Sequence, residues 1–258
     1  MSWVGGQVSS RATCVLAPNP GPMTLDGTNT WVLAEPGSGL ALVVDPGPDD
    51  VAHLRAVLAV VQGIGARVGT VLLTHGHADH SAGAAGFAAM AGCGVQALDP
   101  AHRLGDEGLR GGDVVAAGGL RVEVVGTPGH SADSLSFVLA DDAALLTGDT
   151  VLGRGTTVVA HPDGRLDDYL ASLELLQRNV SSVTRILPGH GPVLDDAAAV
   201  LTAYQQHRLE RLEQVRAAVA AGAATPSAVV RTVYADVDPA LWPAAELSVR
   251  AQLEYLRH

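Results

Sequence analysis

Seven residues, Thr74-His75-Gly76-His77-Ala78-Asp79-His80, constrain this chain more than any other stretch. They follow the apolar run Val71-Leu72-Leu73, which reads as a buried strand. They precede Ser81-Ala82-Gly83-Ala84-Ala85-Gly86, small residues that can open a closely packed helix. Three imidazoles and a carboxylate therefore sit on a loop leaving a strand, where open sheets place their chemistry. His75 and His77 are two residues apart, so in extended backbone they point the same way and can hold one metal. Asp79 and His80, a short turn further on, can face a second. Imidazole and carboxylate without thiolate suit zinc, and also iron or manganese. Three His and one Asp so close together, straight after a buried strand, argue against a merely solvated loop.

One motif cannot close a site, and three later stretches supply what is missing. Thr127-Pro128-Gly129-His130 ends the strand-like run Leu120 to Val125. Thr147-Gly148-Asp149-Thr150 ends the apolar run Ala143 to Leu146, and Leu187-Pro188-Gly189-His190-Gly191-Pro192 follows the run Val183 to Leu187. Each places one His or Asp just after a strand and beside Gly or Pro.

Together these residues resemble the ligand set of the metallo-β-lactamase fold hydrolases. The resemblance implies His75, His77 and His130 on one zinc, Asp79, His80 and His190 on the other, and Asp149 bridging both. Asp45, in Val43-Val44-Asp45-Pro46-Gly47, is similar to the family's early strand-end Asp, which orients the metal ligands from behind. The N-terminal NPGP…GTNTW and the tail VYADVDPALWPAAELSV resemble the β-lactamase-like protein 2 group. That resemblance implies an αββα sandwich of class α/β over 1–195 and a small helical, winged-helix-like segment over 196–258. In the group the segment runs on into a short wing; this chain ends at His258, and the segment is expected to be a helical cap packed near the site. Two zinc ions about 4 Å apart would share a hydroxide that attacks a carbonyl carbon or a phosphorus. Asp79 would hold that nucleophile, and His190 would serve the leaving-group side.

Composition narrows the substrate. The net charge is −11, and all 16 basic residues are Arg. An acidic chain repels nucleic acid overall, although a local Arg patch can still bind it. No apolar run reaches membrane-spanning length, and the N-terminus lacks a charged start followed by a long apolar stretch. Cys14 and Cys93 are the only cysteines, which fits a reducing cytoplasm.

The remaining elements follow from periodicity. Thr30 to Ala34 and Leu40 to Asp45 read as strands, and NPGP…GTNTW as a loop reaching the mouth of the site. Val51, Leu54, Val57, Leu58 and Val61 recur at helical spacing, capped by Asp49 or Asp50, with His53 a surface histidine on that helix. Ala82 to Ala91 reads as a helix, Val95 to Leu98 as a strand, and Gly111 to Gly119 as a turn between strands. His102 reads as solvated, and His161 lies outside the ligand pattern. Arg154, close after Asp149, could bind an anionic group or reach out to solvent. Tyr169, on a helix carrying Leu166, Leu170, Leu173 and Leu176, belongs either to the pocket or to packing. A long helix from Asp195 to Ala221 turns Leu201, Tyr204, Leu212, Val215 and Val219 inward. Its Arg208, Arg211 and Arg216, interleaved with Glu210 and Glu213, read as a solvated face. Thr225-Pro226 starts a further helix.

Three activities fit these residues. The first is a dinuclear-zinc hydrolase of a small ester or thioester. The second is an endoribonuclease acting on single-stranded RNA, as the β-lactamase-like protein 2 resemblance implies. The third is a mononuclear iron persulfide dioxygenase using only His75, His77 and His130. Departures from relatives narrow the class further: Asp149 argues against a true β-lactamase, and His77 against the flavodiiron oxygen reductases.

Overall fold

The computed structural model describes residues 2–105, 107–179 and 183–257. Two six-stranded sheets lie face to face. The first runs in spatial order through β1 (Gly6–Gln7), β2 (Ala12–Leu16), β3 (Asn29–Leu33), β4 (Leu40–Val44), β5 (Arg67–Leu72) and β6 (Gly94–Gln96). The second comprises β7 (Val114–Ala117), β8 (Leu120–Gly126), β9 (Leu135–Leu139), β10 (Ala144–Gly148), β11 (Arg185–Pro188) and β12 (Leu194–Asp195), again in sequential order. Both sheets are mixed: β4, β5 and β6 run parallel, as do β10 and β11, and the other pairs are antiparallel.

Strand periodicity explains the layering, because successive side chains point to opposite faces. Trp31 and Leu33 of β3, Leu42 and Val44 of β4, and Ala144 and Leu146 of β10 point between the sheets. There the β3 and β4 residues of the first sheet meet the β10 residues together with Leu120, Val122, Leu135 and Phe137 of the second. Phe137 is fully buried, so cutting it to Ala would cost about 3–5 kcal/mol. The alternate residues Val32, Val43 and Val71 face outward onto Leu54, Val57 and Val61 of α1 (Val51–Gly63). After the short α2 (Ala78–Ser81), α3 (Ala84–Ala91) adds Phe87 to the same layer. On the far side, Leu145 and Ile186 face Tyr169, Leu173 and Leu176 of α4 (Leu166–Asn179), and Leu201 of α5 (Ala197–Ala220). Strands covered on both faces read as near-continuous apolar runs, as Leu40–Val44 does.

The first half of α5 packs on the second sheet. Its second half, with Val215 and Ala218, builds a separate small core with Val229 and Val230 of α6 (Pro226–Val233) and Val249 of α7 (Trp242–Tyr255). Thr225 caps α6 by accepting from the Ala228 N–H, with Pro226 in the first turn. No strand follows Asp195 among the described residues, and His258 lies outside them.

Several expectations are corrected. His53 is 4% exposed rather than a surface residue; its Nε2 lies 2.9 Å from Thr30 Oγ1, tucked under Gly47. Asp50 caps α1, but Val51 is exposed because it precedes the first buried turn. The helix expected from Ala82 to Ala91 starts at Ala84, after the separate short α2 that ends at Ser81, and Gly83 between them packs so close to the Pro48 carbonyl that a Cβ would lie 2.7 Å from it. The glycine-rich 111–119 contains strand β7, closed by a turn at Gly118 and Gly119. Val219 of α5 faces solvent, and Ala218 takes the inward place. Arg208 is not on a solvated face: it is 5% exposed.

Candidate active site

Five strand ends converge on one edge of the sandwich. Asp45 follows β4, the 74–80 loop follows β5, His130 follows β8, Asp149 follows β10 and His190 follows β11. Among the described residues three groups of donor atoms result: His75, His77 and His130 in the first, Asp79, His80 and His190 in the second, and Asp45, His75 and His80 in a third that shares a histidine with each. In the first, His77 Nδ1 lies 3.0 Å from both His75 Nε2 and His130 Nε2. In the second, His80 Nε2 and His190 Nε2 are 3.2 Å apart, with Asp79 Oδ2 3.4 Å and 3.1 Å from them. Asp149 lies between these two groups. Its Oδ1 is 3.4 Å from His80 Nε2, and its Oδ2 is 3.3 Å from His190 Nε2 and 3.8 Å from His130 Nε2.

The outer nitrogens of four of these rings are engaged, which sets the tautomers. His80 Nδ1–H donates to Asp45 Oδ2 at 2.8 Å, His130 Nδ1–H to the Val158 carbonyl at 2.7 Å, and His190 Nδ1–H to the Gly27 carbonyl at 3.1 Å. Thr74 Oγ1 donates to Asp45 Oδ2 at 2.6 Å and can accept from His75 Nδ1–H at 2.9 Å. Asp45 Oδ1 accepts from the Thr74 N–H, so one buried carboxylate organises both His75 and His80. Asp45 itself sits at φ 50°, a left-handed conformation that Asp tolerates better than most residues. Once His80 and His190 give up their extra protons, the inner nitrogens present lone pairs to one another at separations close to those between ligands of a tetrahedral zinc. Asp149 Oδ1 is buried with no hydrogen-bond partner. An orphaned carboxylate oxygen among converging imidazole lone pairs fits a metal cation. Gly189 is required by closeness: a Cβ there would lie 2.5 Å from Asp149 Oδ1.

The electrostatics agree. Burial alone would raise the Asp79 carboxyl, but its hydrogen bond with His190 and the charge of His80 hold it down to about 2. Burial would lower His190, yet Asp149 and Asp79 lift it to about 9. His80 is likewise opposed by burial and raised well above its ordinary value by Asp149 and Asp45. His75, fully buried beside His80 and His130, is pushed well down. The second group thus meets a cation with more negative charge than the first.

The N-terminal loop reaches the site. Thr28 Oγ1 lies 3.4 Å from Asp79 Oδ2, and Asn29 Nδ2 donates to the carbonyls of Pro188 and Gly191 at 3.0 and 2.8 Å. A cleft of about 280 Å³ opens from His130 and Asp149 between this loop and the C-terminal helices. Met23 and Leu25 line one wall, with Val237, Leu241 and Ala244 opposite. Among the described residues three larger clefts lie away from the ligands, at Arg165–Leu256, along Thr70–Val114 and at Arg216–Arg257. Arg154 is on the cleft wall and pairs with Asp26. Tyr169 belongs to packing: it is fully buried, and its hydroxyl donates to the Thr150 carbonyl at 2.7 Å.

Helix residues hold the 155–159 segment that orients His130. Arg208 donates to the Thr157 carbonyl, Ser248 Oγ accepts from the Val159 N–H, and Tyr204 Oη contacts the Leu152 and Gly155 carbonyls. Sequence reasoning gave Thr28, Asn29, Thr74 and Arg208 no role in the site. Only the first three sat in stretches already singled out.

Residues 23–190 match the metallo-beta-lactamase superfamily, and residues 225–258 match the beta-lactamase associated winged helix domain. The chain belongs to the metallo-β-lactamase superfamily. It is 33% identical over 266 residues to the beta-lactamase-like protein 2 homolog of Caenorhabditis elegans, covering 97% of this chain and 85% of that protein. It is also 33% identical over 247 residues to the atrochrysone carboxyl ACP thioesterase of Aspergillus fumigatus, covering 88% and 74%. The solved beta-lactamase domain protein from Burkholderia ambifaria shares the fold, with a TM-score of 0.82 at 23% identity over 98% of this chain and 87% of that one. The chain is a metal-dependent hydrolase of the metallo-β-lactamase superfamily, with the family's sandwich and its winged-helix-type segment. Among the described residues no helix is long and apolar enough to cross a membrane.

Proposed function

We propose that the protein is a dinuclear-zinc hydrolase of small (thio)esters. The observation that carries this is the position of Asp149, between two donor groups that each hold three residues, with its Oδ1 unpartnered. In this reading His75, His77 and His130 would hold one ion, Asp79, His80 and His190 would hold the other, and Asp149 would serve both. Zinc bound there would bring a water to near-neutral acidity and draw charge from the carbonyl under attack. The chain's own residues do the rest. Asp79, its side chain 30% exposed, accepts from Thr28 and would orient the attacking water. His190, fixed through Gly27, lies beside it on the leaving-group side. Asp45 and Thr74 keep His75 and His80 in the ligating tautomer. The 155–158 segment, tied to α5 and α7, closes the wall beside His130.

A largely apolar cleft beside the metal groups suits an acyl substrate, and the thioesterase among the relatives supports the thioester class. Asp79, His80 and His190 gathered in one group speak against a mononuclear iron dioxygenase, which would need only the first three histidines. The single-strand endoribonuclease reading draws on the likeness to β-lactamase-like protein 2 along nearly the whole chain; the net charge of −11 opposes it. The test is a panel of acyl thioesters and an end-labelled unstructured RNA, given to zinc-loaded protein and to Asp79→Ala. Thioester turnover by the parent alone is expected. RNA cleavage by the parent alone, without thioester turnover, would replace the proposal with the nuclease.

A further inference from the structure

The cleft wall made by the C-terminal helices carries charge that nothing else in the protein uses. Arg208 and Arg211 stand one turn apart on α5, and both line the cleft together with His207. Among the described residues neither arginine has a carboxylate partner. The acids nearest to them on the helix are spent elsewhere: Glu210 accepts from Gln206, and Glu213 pairs with Arg216. Among the described residues the only acid lining the cleft is Asp149, at the metal groups.

Both guanidinium groups are held in place without being neutralised. Arg208 is 5% exposed, donates to the Thr157 carbonyl, lies 5.0 Å over the Tyr169 ring, and leaves its Nε with no partner. Arg211 donates to the Val233 carbonyl and lies 4.4 Å over the Tyr234 ring. Carbonyls and aromatic faces orient a guanidinium but do not cancel its charge. Two like charges three residues apart on a helix repel, so stability alone does not account for the pair. His207 feels the same field: burial lowers it, and Arg208 and Arg211 lower it further.

We propose that Arg208 and Arg211 form an oxyanion-binding subsite, so that the substrate cleaved at the metal groups carries a carboxylate or phosphate on an apolar body. Met23, Leu25, Val237 and Leu241 receive the apolar body, and the α5 side of the cleft receives the anion. Arg211 is half-buried and makes the direct contact. Arg208, deeper, supplies charge and holds the wall. This inference rests on the (thio)ester hydrolase reading and names the charge class of its substrate.

The experiment is calorimetric titration of the zinc-loaded full chain with three non-hydrolysable thioether probes of equal length. One ends in a carboxylate, one in a phosphate and one in a carboxamide. An anionic probe should bind at least about tenfold tighter than the carboxamide, the scale of one charge-assisted hydrogen bond. Which anion wins separates carboxylate from phosphate. Arg211→Gln should abolish that preference and Arg211→Lys should restore part of it. Arg211→Met, which keeps the stem against Tyr234, is read in parallel so that a folding defect in one variant does not stop the measurement. Equal binding of all three probes by the parent overturns the proposal, as does the absence of binding by any of them. So does an anionic preference that survives unchanged in Arg211→Gln and Arg211→Met, which would assign the anion to the metals. A parent that turns over no thioester but keeps an Arg211-dependent preference would remove the thioesterase reading and leave the subsite. Turnover of neutral thioesters with no anionic preference would do the reverse.

Discussion

Asp45→Asn isolates what one carboxylate does for two metal positions. The side chain is 1% exposed and accepts three hydrogen bonds, from Thr74 N–H at 2.8 Å, Thr74 Oγ1 at 2.6 Å and His80 Nδ1–H at 2.8 Å. Asn tolerates the left-handed backbone at φ 50°, so the substitution leaves the chain path alone. Its carbonyl can keep the Thr74 N–H. Its NH2 then faces His80 Nδ1, and two donors cannot share one bond. His80 must move its proton to Nε2, the atom that faces Asp79 and Asp149. Hydrogen bonds to charged groups are worth about 1.5–3 kcal/mol each. Losing the support behind a metal-bound histidine costs about 10- to 100-fold in affinity. The expected outcome is a protein that folds, binds its first zinc within a few-fold of the parent, and binds the second about 10- to 100-fold more weakly. Zinc retention across a series of chelator-buffered free-zinc concentrations, with circular dichroism on the same samples, measures both. Two equivalents held as tightly by Asp45→Asn as by the parent would refute the reasoning.

Other consequences are as direct. His80 and His190, raised by Asp149, carry protons at pH 7 that zinc must displace, so loading should release about two protons per chain, read as a buffer-dependent heat. The metal-free protein should lose stability between pH 6.5 and 9. His190 is raised to about 9, so its contribution is complete below its unfolded value near 6.5 and is lost as pH rises through 9. Chemical denaturation across that range checks the sign, and stability that rises with pH would contradict it. Gly189→Ala should abolish turnover and the second zinc, because the new methyl meets Asp149 Oδ1 and His80 Cε1. Tyr204→Phe removes the hydroxyl that bonds to Leu152 and Gly155, and should cost about 1 kcal/mol in denaturant melts.

The candidate ligands His75, His77, His130, Asp149 and His190 could be gathered from two local signals, an apolar run of strand length and a His or Asp beside Gly or Pro after it, whereas Asp79 and His80 were picked out only by their nearness to His75 and His77. The two sheets could be inferred only as mixed α/β from periodicity, and the resemblance supplied the sandwich. Arg208 was misread because alternating Arg and Glu on a helix look the same whether one Arg points at solvent or at a carbonyl from residue 157. His53 was misread for the same reason: its partner, Thr30, is on another element. The cleft could not be read at all, since Met23, Thr157, Arg211 and Leu241 meet only after folding.

Every donor in the two metal groups comes from a sandwich strand end, whereas much of the cleft wall comes from α5 to α7 and the segment leading into α7. Chemistry and selectivity are therefore inherited on separate stretches of chain. Change in the last sixty or so residues can retune which molecule is cleaved while the hydrolytic apparatus stays the same, provided the contacts from Arg208 and Ser248 to the 157–159 segment survive. Those two contacts are the toll for diversification: a new C-terminal segment must keep His130 in place before it can offer a new cleft.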